Sequence, residues 1–167
     1  MRDHPDDAEL QRITREQIQL KSRDNARTPM QWSNTKYAGF STVAPWQAEN
    51  PSYKTINAAS QVGVQGSIFE HWASILRLRK SHKDVFIYGD FEMVDEKNND
   101  IFAYTRSFGK EKALVVANFR NGDISWEIPT GLAVGVDQLL TSNYETLNVK
   151  DGKVDLRPFE SFAIFVK

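Results

Sequence analysis

The hydrophobic period of the sequence changes near residue 85, and this change most restricts how the chain can fold. Beyond it, short runs of β-branched and aromatic residues recur about every ten residues. The predicted strands are Phe86–Tyr88, Phe91–Val94, Ile101–Phe108, Ala113–Phe119, Ile124–Ile128, Val136–Leu140, Thr146–Val149, Val154–Leu156 and Ser161–Val166. Short strands at this spacing are typical of an antiparallel sandwich. Residues 85–167 are therefore predicted to form an all-β domain.

Turn residues punctuate this half of the chain. Asn121-Gly122 and Asp151-Gly152 are predicted to form hairpin turns, because both residue pairs tolerate positive φ. Asn98-Asn99 predicts a further turn between two strands. Two of the strand connections are therefore expected to be hairpins.

Two helices are predicted before residue 85. The first covers about residues 6–20, with Asp6 and Glu9 as a capping pair and a thin apolar stripe that needs a partner to cover it. The second covers residues 67–81, where Ser67 and Glu70 form a capping box and basic residues crowd the last turns.

Residues 21–66 lie between these helices and show no clean periodicity. The segment contains three prolines and five aromatic residues, which are Trp32, Tyr37, Phe40, Trp46 and Tyr53. A long loop of this kind is usually functional, or it packs against something outside it.

Composition excludes several classes of function. The 21 basic and 22 acidic residues are mixed along the chain, so no nucleic-acid partner is expected. No apolar run approaches the roughly 20 residues that span a bilayer, so no membrane partner is expected. The sequence has no cysteine and no signal-peptide core at its start, which favours a cytoplasmic location.

Neither metal nor cofactor chemistry is predicted. His4, His71 and His82 are far apart in sequence, and the last two are too distant along one helix to share an ion. Neither a Gly-x-Ser-x-Gly elbow nor a phosphate-binding glycine loop occurs. The acidic residues near Asn98 and Asp151 are interpreted as solvated turns, so no residue is predicted to be catalytic.

Residues 22–32 are the segment that suggests a ligand site. They read Ser-Arg-Asp-Asn-Ala-Arg-Thr-Pro-Met-Gln-Trp, so that Arg23 and Arg27 bracket Asp24. One interpretation is a surface loop in which Asp24 holds an arginine. The other is a binding loop, since arginine suits forked recognition of carboxylates and sugar hydroxyls.

This segment resembles the Arg-Asp-x-x-Arg-x-Pro-Met-Gln-Trp signature of α-glucosidases, of the maltase and oligo-1,6-glucosidase type, in glycoside hydrolase family thirteen. The likeness continues through residues 38–41, 45–46, 50–57, 75–80 and 113–119, and therefore covers most of the chain. Many bacterial members have an aspartate after the signature tryptophan, whereas this chain has Ser33. That difference favours the yeast and fungal maltases.

The resemblance implies a fold. Residues 1–84 would be the carboxy-terminal end of an incomplete catalytic (β/α)8 barrel, comprising its terminal helices and an active-site loop. Residues 85–167 would be an antiparallel β-domain of the Greek-key sandwich kind. The chain as it stands is therefore expected to be α+β.

The resemblance also implies chemistry. Family members hydrolyse terminal α-1,4 or α-1,6 glucosidic bonds of maltose-like or isomaltose-like sugars with retention. Their Asp/Glu/Asp carboxylates come from barrel strands that would precede Met1, so the isolated chain is expected to be inactive. The implied partners are a small sugar substrate and the missing barrel.

Four residues take roles by this resemblance. Arg23 would pair with a barrel carboxylate and help to hold the non-reducing glucose, and Arg27 is a second candidate for substrate binding. Asp24 and Trp32 would support the loop.

Two other interpretations remain open. The chain could be a non-catalytic glycan-binding or degenerate β-domain protein derived from the family. It could also resemble the heavy chain of amino-acid transporters, which predicts a membrane anchor and glycosylation acceptors. Neither is found in the sequence. The one near match to a glycosylation acceptor, Asn50-Pro51-Ser52, contains the forbidden proline.

Overall fold

The computed structural model describes residues 7–167, and at Asn25 it describes the main chain alone. The chain divides into two compact units, Met1–His71 and Trp72–Lys167. The domain boundary expected after residue 84 stays a prediction. Within residues 7–167, no helix has the length and apolar character needed to cross a membrane.

Helix α1 (Ala8–Lys21) opens the described part of the first unit. Asp7 caps it, because its Oδ1 accepts a hydrogen bond from the Leu10 amide at 2.8 Å. The predicted cap Asp6 lies outside the described residues. No described residue of α1 is buried, so its thin apolar stripe is uncovered.

The segment after α1 forms short turns instead of long helices. Arg23–Ala26, Pro51–Lys54 and Ala58–Ser60 are 3₁₀ turns, whereas Lys36–Gly39 is a tight turn with left-handed φ and ψ at Tyr37 and Ala38. Side chains of Ser22, Asn50 and Asn57 cap three of them. Such residues bond to nearby main chain and favour turns over continuing helices, which explains the missing periodicity.

Helix α2 (Ile68–Ser81) follows, and it ends at the predicted residue. Ser67 Oγ accepts the Glu70 amide at 3.2 Å, which is one half of the predicted capping box. The other half is wrong, because the Glu70 carboxylate accepts the Gly63 amide at 2.8 Å instead. Glu70 therefore ties the preceding loop to the start of the helix.

The predicted strand Phe86–Tyr88 is wrong. These residues belong to a π-helical turn, Asp84–Tyr88, and the Phe86 amide donates to the His82 carbonyl at 2.9 Å. The helical path thus continues beyond α2, and Val85 is buried. A three-residue apolar run has too little periodicity to separate strand from helix.

The other eight predicted strands each overlap an observed strand. These are β1 (Asp90–Val94), β2 (Ile101–Phe108), β3 (Glu111–Asn118), β4 (Ile124–Glu127), β5 (Val134–Ser142), β6 (Asn148–Lys150), β7 (Lys153–Leu156) and β8 (Ser161–Val166). They form one sheet in the order β1-β2-β3-β8-β5 and another in the order β4-β7-β6. All pairs are antiparallel.

The two sheets enclose the hydrophobic core of the second unit. Leu114, Phe162 and Ile164 contribute from the larger sheet, and Trp126 and Leu156 contribute from the smaller. Burial alternates along β2, as expected for strands with one face on a core. The antiparallel sandwich predicted for this region is confirmed, and the fold is α+β.

One of the two predicted hairpin turns is wrong. Asp151-Gly152 joins β6 to β7, with φ of 50° and 75°. Asn121-Gly122 instead lies where the chain crosses from one sheet to the other, since β3 pairs with β2 and β8 while β4 pairs with β7. The side chain of Asn118 redirects the chain there, accepting the Arg120 amide and donating to the Gly122 carbonyl, both at 2.8 Å.

Candidate functional site

The two candidate arginines lie at either end of the 3₁₀ turn Arg23–Ala26. Ser22 Oγ accepts the Asp24 amide at 3.2 Å, and the Arg27 amide donates to the Asp24 carbonyl at 3.0 Å. The first bond forms because the first amides of a turn lack main-chain partners. The second is the i→i+3 main-chain bond that closes the turn. The side chains of Arg23, Asp24 and Arg27 are exposed, so both guanidinium groups face solvent in the first unit.

Asp24 contributes to the loop through its main chain. Its carbonyl accepts Nε2 of Gln47 at 3.1 Å in addition to the Arg27 amide. Among the side chains that the structure describes, no ion pair joins the Asp24 carboxylate to Arg23 or Arg27. The support predicted from its side chain stays a prediction.

Trp32 is held by its main chain while its ring stays half exposed, at 53%. The Trp32 amide donates to the Ala38 carbonyl at 2.9 Å, and the Ala59 amide donates to the Trp32 carbonyl at 2.9 Å. Main-chain hydrogen bonds therefore hold the signature segment at Trp32 to two other parts of the loop, at Ala38 and at Ala59. The loop-supporting role predicted for Trp32 stays a prediction.

A tight turn at Lys36–Gly39 makes one of these fastenings possible. Tyr37, Ala38 and Gly39 all have positive φ, at 57°, 58° and 66°. A left-handed conformation costs non-glycine residues of the order of 1–2 kcal/mol each, so hydrogen bonds must hold the turn. The buried Ala38 supplies them, since its carbonyl accepts the amides of both Trp32 and Ser33.

Gly39 is required in this turn for a second reason. A Cβ atom there would lie 2.4 Å from Ser33 Oγ, which is too close for a side chain. Ser33 Oγ also lies 2.7 Å from Thr35 Oγ1. The side chain of Ser33 thus lies against the turn.

Two amide side chains, which sequence reasoning missed, position the segment. Gln31 donates through Nε2 to Ser52 Oγ at 3.2 Å and to the Ile56 carbonyl. The buried Asn57 donates to the Tyr53 carbonyl at 2.8 Å and accepts the Ser60 amide at 2.9 Å. Asparagine and glutamine side chains commonly form hydrogen bonds with main-chain groups in loops, so the presence of these two residues was the sequence feature that could have indicated their role.

Residues 7–167 contain no pair of opposed buried acids. Glu160 is the buried carboxylate of residues 7–167, and it forms an ion pair with Arg157 at 2.8 Å. Within the same residues, no three metal-binding side chains cluster. The ring of His82 lies 5.2 Å from that of Phe165, while His4 lies outside the described residues. The candidate site is therefore the loop with Arg23 and Arg27, defined here as residues 22–32.

Comparison with known families gives this loop a context. The α-amylase catalytic domain matches residues 1–89, which include the whole candidate site. The C-terminal domain of the α-amylase SusG matches residues 101–162, within the sandwich. The class defined by this arrangement is the end of a carbohydrate-active catalytic domain followed by its β-domain.

Individual relatives agree with this class. The chain is 39% identical to an oligo-1,6-glucosidase of Bacillus cereus over 90% of its own length and 27% of that enzyme. It is 38% identical to an α-glucosidase of Candida albicans over 86% of its own length and 24% of that enzyme. The solved structure of a trehalulose synthase variant superposes with a TM-score of 0.82 at 34% identity, covering 90% of this chain and 27% of the other.

The chain belongs to the α-amylase family of glycoside hydrolases, family thirteen. It spans about a quarter of the length of the curated relatives that it matches. Bacterial and yeast relatives are nearly equal in identity, so identity does not separate these two groups.

Proposed function

We propose that this chain forms the carboxy-terminal part of an α-glucosidase in cytoplasmic carbohydrate metabolism. The enzyme would hydrolyse terminal α-1,4 or α-1,6 glucosidic bonds of maltose-like or isomaltose-like sugars with retention. One observation carries the proposal: Arg23 and Arg27 project from a loop whose main chain is fixed by the preceding and following segments. That loop lies within the match to the catalytic domain.

In this proposal, retaining hydrolysis needs both this chain and catalytic groups that lie outside it. A carboxylate attacks the anomeric carbon while an acid protonates the departing glycosidic oxygen, and water then cleaves the glycosyl-enzyme with the acid acting as base. In the proposal, those carboxylates belong to barrel strands that are not among these residues. The chain would contribute binding of the terminal glucose.

Arg23 would contribute through forked hydrogen bonds. Its guanidinium would pair with a barrel carboxylate and donate to a glucose hydroxyl, and Arg27 would add a contact at the pocket wall. A paired arginine fixes the hydroxyl positions, and a displacement of about 1 Å can cost roughly a hundredfold in rate. The hydrogen bonds of Gln31, Trp32 and Asp24 limit such displacement.

A chimaera tests the proposal. The chain is joined to the part of the Bacillus cereus oligo-1,6-glucosidase that it does not match, and kcat/KM is measured with an aryl α-glucoside. Arg23→Ala is expected to lower kcat/KM by about a hundredfold, and Arg23→Lys is expected to recover only part of the loss, because lysine lacks the fork. The isolated 167-residue chain is expected to show no turnover.

Arg15→Ala is the matched control, since Arg15 is an exposed arginine of α1 outside the candidate site. It should leave kcat/KM within about twofold of the parent value, as exposed surface substitutions do. Unchanged activity in Arg23→Ala would refute the role of Arg23. A folded but inactive chimaera, or turnover by the isolated chain, would contradict the division of work.

The alternative of a glycan-binding β-domain has less support. The second unit contains an open groove beside Asp123, Ser125, Asn148, Asp155 and Arg157, and none of its lining residues is aromatic. Asp155 is already engaged, because Ser125 Oγ donates to it at 2.7 Å and Asn148 Nδ2 at 3.3 Å. The groove therefore lacks a ring on which a sugar could stack.

A further inference from the structure

The peptide unit between Asn121 and Gly122 lies where the chain crosses from one sheet to the other. Asn121 is exposed, and neither its carbonyl nor the Gly122 amide forms a hydrogen bond with another of residues 7–167. The positions on either side are held, because Asn118 accepts the Arg120 amide and donates to the Gly122 carbonyl, both at 2.8 Å. The Gly122 nitrogen is therefore available to react while the chain around it stays in place.

Other asparagines of the same unit are followed by an amide that is already bonded. Asn99 is also an exposed turn residue, but the amide after it, that of Asp100, donates to Asn98 Oδ1 at 3.0 Å. Asn118 is buried, and the amide after it, that of Phe119, donates to the Asp100 carbonyl at 2.9 Å. An amide nitrogen that donates in this way is held away from the asparagine side chain before it.

Glycine at position 122 removes the usual steric barrier. The side chain of the residue after an asparagine hinders attack by its own nitrogen, and glycine has none. Beyond its chain neighbours, nothing lies within 4 Å of where a Cβ of Gly122 would be. Asp151-Gly152 has the same glycine, but it closes the β6–β7 hairpin and offers a carboxylate, which is a poor target for a nucleophile.

We propose that Asn121 is a site of spontaneous deamidation. The Gly122 nitrogen loses its proton and attacks Cγ of Asn121, so that a C–N bond forms, the Cγ–Nδ2 bond breaks and ammonia leaves with the proton. Water then opens the five-membered imide at one of its two carbonyls. Opening at the side-chain carbonyl gives aspartate, whereas opening at the main-chain carbonyl gives isoaspartate, and either product adds one negative charge.

The isoaspartyl product changes the crossover, because its main chain runs through the former side chain and is longer by one methylene. The extra length falls between the two groups that Asn118 holds, the Arg120 amide and the Gly122 carbonyl. Asn118 is 3% exposed, so water cannot fully replace a lost acceptor. Isoaspartate at position 121 is therefore expected to weaken the junction between the sheets, whereas aspartate keeps the main chain unchanged.

Ageing of the folded 167-residue chain tests the proposal. The chain is incubated below its melting temperature at neutral and mildly alkaline pH, and mass spectrometry of its peptides follows the conversion of each asparagine. Asn121 is expected to convert at least about tenfold faster than Asn99, since only Asn121 precedes an unbonded glycine amide. The rate should rise with pH, and both aspartate and isoaspartate should form. Equal rates at the two residues, or aspartate without isoaspartate, would overturn the proposal.

Gly122→Ala is the matched variant, because its added Cβ enters open space and the residue does not have positive φ. It should keep the parent melting temperature and slow conversion of Asn121 by about tenfold. An unchanged rate in the folded variant would count against attack by the Gly122 nitrogen. If the alanine variant does not fold, Asn121→Gln replaces it, and conversion of that glutamine at the parent rate would have the same meaning.

Asn121→Asp separates the two products. It carries the new charge on an unchanged main chain, so its melting temperature should equal that of the fresh parent chain. The isoaspartyl fraction of the aged chain, separated by ion exchange, is expected to melt about 4 °C lower, because it loses a buried hydrogen bond. A loss of the same size in Asn121→Asp would assign the effect to charge and overturn the role given to the longer main chain.

Discussion

At the scale of single residues, the ion pair between Glu160 and Arg157 anchors the corner where β7 leads into β8. Glu160 is fully buried and accepts the amide and Nε of Arg157, both at 2.9 Å. The guanidinium of Arg157 lies 4.0 Å above the ring of Tyr144. Burial raises the pKa of Glu160, but the hydrogen bonds from Arg157 outweigh it and hold the pKa below its usual range.

Glu160→Gln is expected to lower the free energy of unfolding of the chain by about 2 kcal/mol, less than for a fully buried pair because Arg157 is 37% exposed. The pKa of Glu160 is lower in the folded state, so its stabilisation is complete above the unfolded value of about 4.3 and is lost as pH falls through the folded value. Melting temperatures of the parent chain should therefore fall more steeply below about pH 4 than those of Glu160→Gln.

Glu127→Gln is the control for that measurement. Glu127 pairs with Lys153 at 3.1 Å, and its side chain is 79% exposed. Solvent screens such a pair, so its loss should change the free energy of unfolding by less than about 0.5 kcal/mol. Equal effects of the two substitutions would contradict the role given to the buried pair.

At the scale of elements, the two Asx-Gly pairs show what local sequence can predict. Asp151-Gly152 and Asn121-Gly122 carry the same hairpin signal, yet the first joins paired strands and the second joins different sheets. The deciding group for the second is Asn118, which donates to Gly122 and also to the carbonyl of Arg157, 39 residues further along. Because the two residues are so far apart in sequence, this contact leaves no pattern in the residues around Asn121-Gly122 from which it could be predicted.

Replacing each glycine by alanine should separate the two turns. Gly152 has φ of 75° with open space around it, so Gly152→Ala is expected to cost about 1 kcal/mol of stability from backbone strain alone. Gly122 also has open space and does not have positive φ, so Gly122→Ala should be neutral or slightly stabilising. Denaturant unfolding measures both, and a larger cost at Gly122 would contradict the turn assignment.

At the scale of the whole molecule, burial is unequally divided between the two units. Among residues 7–167, the buried apolar residues that precede Val85 are Pro29 and Ala38, whereas the second unit has a hydrophobic core. Alternation along strands is local, which is why the sandwich could be predicted from sequence. The candidate site was found through a family signature, and its supporting bonds from Gln31 and Gln47 could not be predicted because their partners lie more than twenty residues away.

This inequality predicts two rates of amide hydrogen exchange within one chain. Amides of β2, β3 and β8 open only with the hydrophobic core, so they should exchange at the rate set by global unfolding. Amides of residues 40–56 lack such a core and should exchange at least a hundredfold faster, while those of Trp32 and Ser33 are slowed by the Ala38 carbonyl. Joining the chain to the unmatched part of the Bacillus cereus enzyme should slow exchange in residues 40–56, if the first unit packs against a barrel. Uniform protection in the isolated chain would show instead that residues 7–71 are stabilised by contacts of their own, and that the loop needs no barrel to hold Arg23.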